Sequence, residues 1–77
     1  MNPPKKLYRI GEVIQHSGLS RQTVHNYTMF RLITEAERTP SGHRLYGEEV
    51  FATLERISAL RREGKRLKEI GRLLARE

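Results

Sequence analysis

The chain has 77 residues, enough for one small domain with a modest core and too few for two units that each bury a core of their own. Fifteen Lys and Arg against nine Asp and Glu give a net charge of +6, which favours a polyanionic partner, nucleic acid before an anionic membrane. Cysteine is absent, which excludes disulfides, thiol chemistry and thiolate metal sites, and no apolar run approaches the roughly 20 residues that span a bilayer.

The first residues form a basic segment that contains two prolines. Residues 1–6 have no apolar core of the kind that a secretory signal needs, and Pro3 and Pro4 oppose helix formation. We therefore expect residues 1–7 to be a flexible basic tail and residues 8–77 to be the domain of a cytoplasmic protein.

A short strand and a first helix are predicted next. Residues 7–10 alternate weakly between apolar and polar side chains, which is typical of a strand. Apolar residues then recur at helical spacing and predict a helix from about Gly11 to Ser17. Gly18, just past its end, is a typical C-terminal capping residue.

Residues 18–27 have the pattern of the turn and second helix of a helix-turn-helix. Ser20 is a natural N-cap because its hydroxyl can accept the backbone N–H of Thr23, and Gly18 lets the chain turn sharply before it. The second helix is predicted from Arg21 to about Met29. Its exposed positions carry long hydrogen-bonding side chains: Arg21, Gln22, His25 and Asn26.

Side chains of this kind suit the major groove of DNA, where Arg pairs with guanine and Gln or Asn pairs with adenine. The alternative is a solvated polar helix face, and this stretch alone does not decide between the two. Tyr27 has two compatible roles, since its ring can pack against the first helix while its hydroxyl meets a phosphate.

A hairpin is predicted after the second helix. Two short β-prone pieces, Leu32–Thr34 and His43–Tyr46, bracket a polar loop that contains Pro40 and Gly42. Such a hairpin after a helix-turn-helix is a wing, and cations on a wing can contact phosphates or enter a minor groove. The wing would carry Arg38, His43, Arg44 and Tyr46; the alternative is an ordinary solvated turn.

Two further helices are predicted in the last third of the chain. The third begins at residues 47–49, has apolar residues at helical spacing from Val50 to Leu60, and ends at residues 63–64. The fourth begins near Leu67. Basic residues on or beside it either bind phosphates or neutralise the negative end of the helix, and the sequence leaves both open. They are Lys65, Arg66, Lys68, Arg72 and Arg76.

The sequence contains no pattern typical of catalysis. His16, His25 and His43 are scattered without the close pairing with carboxylates that metal and general-base sites use. The six glycines fall at element boundaries or singly, not in a phosphate-binding loop. We expect no enzymatic activity, no catalytic residue, no metal and no cofactor, and double-stranded DNA as the partner.

Several segments, in order and at matching spacing, resemble the DNA-binding domain of the MerR family of bacterial transcription regulators. The resemblance covers nearly the whole chain, from Tyr8 to about Leu74. Its segments are Tyr8–Val13, Ser17–Val24, Arg38–Thr39 with Ser41–Tyr46, Ile57–Arg61 with Gly64, and Glu69–Ile70 with Leu73–Leu74.

The resemblance implies a mainly α fold, a winged helix-turn-helix of four helices with a two- or three-stranded wing hairpin. It implies that the second helix enters the major groove while the wing and the third helix hold the flanking backbone. Together with the residue pattern, it gives a candidate DNA-binding set: Ser20, Arg21, Gln22, Thr23, His25, Asn26, Tyr27, Arg38, His43, Arg44 and Tyr46.

Family members usually act as homodimers at promoters, joined by a long helix beyond the fourth one. The resemblance therefore implies a homodimer in a longer native chain, a monomer for these 77 residues, and RNA polymerase as a candidate partner. Two other functions stay open: an excisionase-like architectural protein that bends DNA, and a module that docks another protein through its winged-helix surface.

Five positions depart from the family pattern. His25 stands where Arg is frequent, and Asn26 stands where an aromatic residue is usual. Thr28 replaces a common acidic residue, and His43 a frequent tyrosine of the wing. Arg31 replaces the glycine that normally ends the second helix, so it needs a left-handed conformation or a redirected chain, and we expect an unusual link into the wing.

Overall fold

A computed structural model describes residues 6–77, and this part of the chain contains four helices and three short strands. In chain order they are β1 (Tyr8–Arg9), α1 (Ile10–Ser17), α2 (Arg21–Met29), β2 (Glu37–Arg38), β3 (Arg44–Tyr46), α3 (Glu49–Arg62) and α4 (Leu67–Ala75). This is the predicted mainly α architecture. Across residues 6–77, none of the helices combines the length and the apolar character needed to cross a bilayer.

Residues 1–5 of the predicted N-terminal tail lie outside the described residues. The next residue, Lys6, contacts the domain, because its ammonium lies 5.0 Å from the centre of the Tyr8 ring and 3.6 Å from a carboxylate oxygen of Glu12. Glu12 also accepts the backbone N–H of Arg9 at 3.1 Å, and this hydrogen bond lowers the pKa of its carboxyl. The first turn of α1 is thereby fixed to the strand before it.

Helices α1 and α2 form the helix-turn-helix with the predicted local geometry. Gly18 ends α1 in the left-handed conformation at φ 74°, and its N–H donates to the Ile14 carbonyl at 2.9 Å. Ser20 caps α2, since its Oγ accepts the N–H of Thr23 at 3.0 Å. The predicted bounds of α2 are confirmed, and α1 begins at Ile10, one residue earlier than predicted.

The core draws one fully buried side chain from each helix. Val13, Val24, Ile57 and Ile70 are all 0 % exposed, as is Tyr46 of β3. Because one cluster joins all four helices, the orientation of each helix depends on the other three.

The strands form one antiparallel sheet in the order β1-β3-β2, which is the three-stranded form of the predicted wing. Tyr8 lies opposite Tyr46, and Glu37 lies opposite Leu45. The central strand β3 therefore pairs with both β1, at the start of the domain, and β2.

The prediction of a wing strand at Leu32–Thr34 is wrong. Leu32 and Ile33 are 7 % and 4 % exposed within the core, and their N–H groups donate to the carbonyl of Tyr27 at 2.9 and 3.4 Å. The strand that pairs with β3 is Glu37–Arg38, which is exposed and polar. The apolar residues after α2 thus fill the core and do not pair in the sheet.

Arg31 has a left-handed conformation, the first of the two outcomes expected where arginine replaces the usual glycine. Its φ is 60°, and it is the only non-glycine residue with positive φ within residues 6–77. Its N–H donates to the Thr28 carbonyl at 3.0 Å. A side chain in this conformation costs about 1–2 kcal/mol, so α2 ends under backbone strain.

A buried hydrogen bond connects α2 to β3. The hydroxyl of Tyr46 lies 2.8 Å from Oγ1 of Thr28, and Thr28 Oγ1 itself donates to the Val24 carbonyl at 3.0 Å. Because the single hydroxyl proton of Thr28 is used for Val24, the hydroxyl of Tyr46 is the donor between the two side chains.

Replacing the buried tyrosine tests this connection. Tyr46→Phe removes the donor to Thr28 and should lower the free energy of unfolding by about 1 kcal/mol, measured by urea denaturation. Tyr8→Phe is the matched control, because the Tyr8 hydroxyl makes no hydrogen bond within residues 6–77, and it should leave stability unchanged. Equal effects of the two substitutions would contradict the role given to the Tyr46 hydroxyl.

The strain at Arg31 generates a second prediction. Arg31→Gly should raise the free energy of unfolding by about 0.5–1 kcal/mol, because the relief of the left-handed penalty exceeds the added entropy of the unfolded chain. Arg31→Ala removes the same side chain but keeps the strain and should give no gain. A similar gain for both variants in urea denaturation would mean that the side chain, and not the backbone, is responsible.

Candidate nucleic-acid interface

One face of α2 is polar and open to solvent. Val24 and Tyr27 are buried on the opposite face at 0 % and 5 % exposure, so the helical period leaves four side chains outside. These are Arg21, Gln22, His25 and Asn26, all of them exposed. Helix α2 contains no acidic residue, so nothing on the helix itself offsets the charge of its arginine.

The N-terminus of α2 adds hydrogen-bond donors to this face. The Oγ of Ser20 accepts the N–H of Thr23 and donates to its Oγ1 at 2.8 Å. The remaining free N–H groups of the first turn carry the positive end of the helix dipole, which favours anions.

Two residues of the exposed face are bonded to each other. Nε2 of Gln22 donates to Oδ1 of Asn26 at 2.9 Å, across one turn of α2. The two amides therefore have a defined relative orientation before any ligand arrives.

A groove of about 430 Å³ runs beside α2, between it and the end of α3. Thr23 and Asn26 line it from α2, and Arg61 and Arg62 line it from α3. Both arginines are exposed, and neither makes an ion pair within the described part of the chain. The arginine pair therefore places two uncompensated positive charges next to the polar face of α2.

The sequence-based set of candidate residues omits Arg61 and Arg62. The sequence does contain a signal for them, because two consecutive arginines follow Leu60 and lie off the apolar stripe of the third helix. Their position next to α2 depends on how the helices pack, which the spacing of residues along one helix does not reveal.

The wing carries two arginines that share one carboxylate. Nε of Arg38 donates to a carboxylate oxygen of Glu35 at 3.0 Å, and Nε of Arg44 lies 3.6 Å from the same oxygen. The backbone N–H of Glu35 and the Arg38 guanidinium lower the pKa of this carboxyl. Glu35 therefore stays ionised and offsets part of the positive charge of the wing.

The tip of the wing is organised by hydroxyl groups. Oγ of Ser41 lies 3.0 Å from Oγ1 of Thr39 and 3.1 Å from Nδ1 of His43, and the backbone N–H of His43 donates to Thr39 Oγ1 at 3.0 Å. Gly42 completes the turn at φ 90°, which a side chain would resist. His43 is thus held at an exposed position.

The predicted site residues fall into three groups by exposure. Seven are exposed: Ser20, Arg21, Gln22, His25, Asn26, Arg38 and His43. Thr23 and Arg44 are half-buried. Tyr27 is buried but lines the groove beside α2. The structure corrects the assignment of Tyr46, which is 0 % exposed with its hydroxyl bonded to Thr28, so it lies too deep to touch a ligand.

The described residues contain no cluster of side chains that could bind a metal ion. No three His, Asp or Glu side chains within residues 6–77 lie close enough together to hold an ion.

Known proteins are similar to this chain in sequence and in fold. The sequence model of a family described as "MerR HTH family regulatory protein" matches residues 8–77. The nodulation protein NolA of Bradyrhizobium sp. (strain NC92) is 38% identical over 72 residues, which cover 94% of this chain and 30% of that protein. The mercuric resistance operon regulatory protein of Bacillus cereus is 36% identical over 67 residues, 87% of this chain and 51% of that protein.

A solved structure agrees in both fold and sequence. MtaN, the N-terminus of the multidrug transporter activator of Bacillus subtilis, superposes with a TM-score of 0.81 at 33% identity. The match covers 87% of this chain and 63% of that one. The present chain therefore spans only part of each of these proteins, and about 30% of the length of NolA.

The cap at Ser20 generates a prediction for the exposed helix. Ser20→Ala should lower the free energy of unfolding by about 1 kcal/mol, because the N–H of Thr23 loses its acceptor. Ser20→Asp keeps an acceptor at the same position and should retain most of the stability. Urea denaturation measures both, and equal losses for the two variants would contradict the capping role.

Proposed function

The chain belongs to the MerR HTH family of regulatory proteins, and we propose from this and from its geometry that it binds double-stranded DNA sequence-specifically, as the DNA-binding domain of a transcriptional regulator. The observation that carries the proposal is the acid-free polar face of α2 beside the Arg61 and Arg62 groove.

The shape of α2 supports insertion into the major groove. The major groove of B-DNA is about 12 Å wide and accepts one α-helix with its side chains. The side chains offered are one guanidinium, two amides and one imidazole, from Arg21, Gln22, Asn26 and His25. Groups of this kind hydrogen-bond to base edges. We assign direct base contacts to Arg21, Gln22 and His25, while Asn26 is bonded to Gln22.

Phosphate contacts are assigned to the elements on either side of α2. Arg61 and Arg62 have no ionic partner in the described structure and are available to phosphates on one side. Arg38, His43 and Arg44 of the wing are assigned to the DNA backbone or minor groove elsewhere, and Glu35 offsets part of the charge of the two arginines. Ser20 and Thr23 lie at the helix N-terminus, where phosphates bind readily.

Assembly and further partners are proposed for a longer chain. The named relatives are longer than this chain, and we propose that a homodimer and contact with RNA polymerase need the additional residues. The 77 residues alone should be monomeric and bind one half-site. No observation in the described structure favours the excisionase-like or protein-docking alternatives over transcriptional control.

DNA binding by the isolated chain tests the proposal. Fluorescence anisotropy with a labelled duplex should show log affinity falling against log salt with a slope of about −5, for about six phosphate contacts. Arg61→Ala should weaken all duplexes alike and reduce the slope by about 1, whereas Gln22→Ala should change the ranking of sequences.

Arg56→Ala is the matched control for charge. Arg56 lies on α3 like Arg61, but its guanidinium is bonded to Glu77 at 2.7 Å, on a different face of the helix from the groove. Its loss should change DNA affinity little. Affinity that does not depend on salt, or no binding to any duplex, would overturn the proposed function.

A further inference from the structure

The amides of Gln22 and Asn26 form a pair whose hydrogen-bonding capacity is only partly used. Nε2 of Gln22 has two N–H groups, and one donates to Oδ1 of Asn26 at 2.9 Å. Both side chains are exposed, and neither makes another hydrogen bond within residues 6–77. Gln22 therefore keeps one N–H donor and its carbonyl acceptor free.

The free groups of Gln22 match one base better than the others. In the major groove, adenine presents the N7 acceptor beside the N6 donor, so an amide can donate to N7 and accept from N6 at the same time. Guanine presents two acceptors, N7 and O6, and O6 would face the amide carbonyl oxygen unfavourably. An amide held with one donor and one acceptor outward therefore favours adenine over guanine.

Holding the amide matters because a free glutamine amide can rotate. A flipped amide exchanges donor and acceptor and would lose the match to adenine. In the observed pair Oδ1 of Asn26 accepts from Gln22, so the Nε2 end of Gln22 is directed toward Asn26 and the carbonyl end is directed away. Helix α2 contains no acidic residue, so no carboxylate on the helix competes for the N–H groups of Gln22.

We propose that Gln22 and Asn26 form a specificity-determining pair for adenine, in which Gln22 contacts the base and Asn26 is the positioning residue that fixes the Gln22 amide. The proposal rests on the proposed function, because it needs α2 in a major groove. It extends that function by naming the base and by assigning Asn26 a role through Gln22.

The experiment begins with selection from a randomised duplex library by the intact chain and by Gln22→Ala. The position whose preference disappears in Gln22→Ala should be adenine in the wild-type selection. A duplex with guanine there should bind the wild-type chain about tenfold more weakly, within the range of one bidentate contact. A duplex with 7-deazaadenine, which lacks the N7 acceptor, should show a similar loss for the wild type and none for Gln22→Ala.

Variants of Asn26 test whether this residue orients the Gln22 amide or only stabilises helix α2. Asn26→Ala should reduce the adenine preference to about threefold or less while leaving affinity for non-specific duplex within about twofold. Asn26→Asp keeps the acceptor for Gln22, so it should retain the adenine preference although its added negative charge weakens binding to every duplex. Gln15→Ala, at an exposed glutamine of α1, is the control and should change neither quantity.

The outcomes distinguish this inference from the proposed function. Full adenine preference in Asn26→Ala overturns the inference alone, and so does a double variant of Gln22 and Asn26 that differs from Gln22→Ala at the same base pair. Absence of DNA binding by the wild-type chain overturns both. Circular dichroism confirms that each variant is folded, which is expected because both positions are exposed.

Discussion

Burial of one face of α2 is the constraint on which the proposed interface depends. Val24 and Tyr27 pack in the cluster that joins all four helices, and Thr28 is bonded to the hydroxyl of Tyr46 in the central strand. With these positions fixed inside, the 3.6-residue period leaves the hydrogen-bonding residues outside. The hydrogen bond also connects the helix to the sheet, so the wing and α2 are held together at a buried point.

The end of α2 shows how core burial outweighs local strain. The left-handed conformation of Arg31 costs about 1–2 kcal/mol, a large share of the stability of a small domain. It redirects the chain so that Leu32 and Ile33 enter the core, and the burial of each contributes about 1.5–3 kcal/mol. The gain exceeds the cost, which is why the fold tolerates arginine at this position.

Charge is distributed unequally on the two sides of α2. Glu35 lies between Arg38 and Arg44 and reduces the positive potential at the base of the wing. Arg61 and Arg62, across the groove, have no acidic partner within residues 6–77. Within the described residues the arginine pair of α3 therefore carries positive charge that is less compensated than that of the wing, which is why the proposed function gives this pair the main phosphate contacts.

Local features of the sequence determined the helices, the caps at Gly18 and Ser20, and the exposed residues of α2. Gly18, Ser20 and Arg31 make their capping hydrogen bonds to residues at most four positions away in the chain. Helical spacing is likewise a property of one segment. These predictions therefore needed no knowledge of the tertiary fold. Only the tertiary structure decided the burial of Leu32, the depth of Tyr46, and the strand at Glu37–Arg38. The same is true of the groove in which Arg61 and Arg62 lie beside α2. Each depends on contacts between segments distant in the chain, and neither propensity nor periodicity within one segment contains that information.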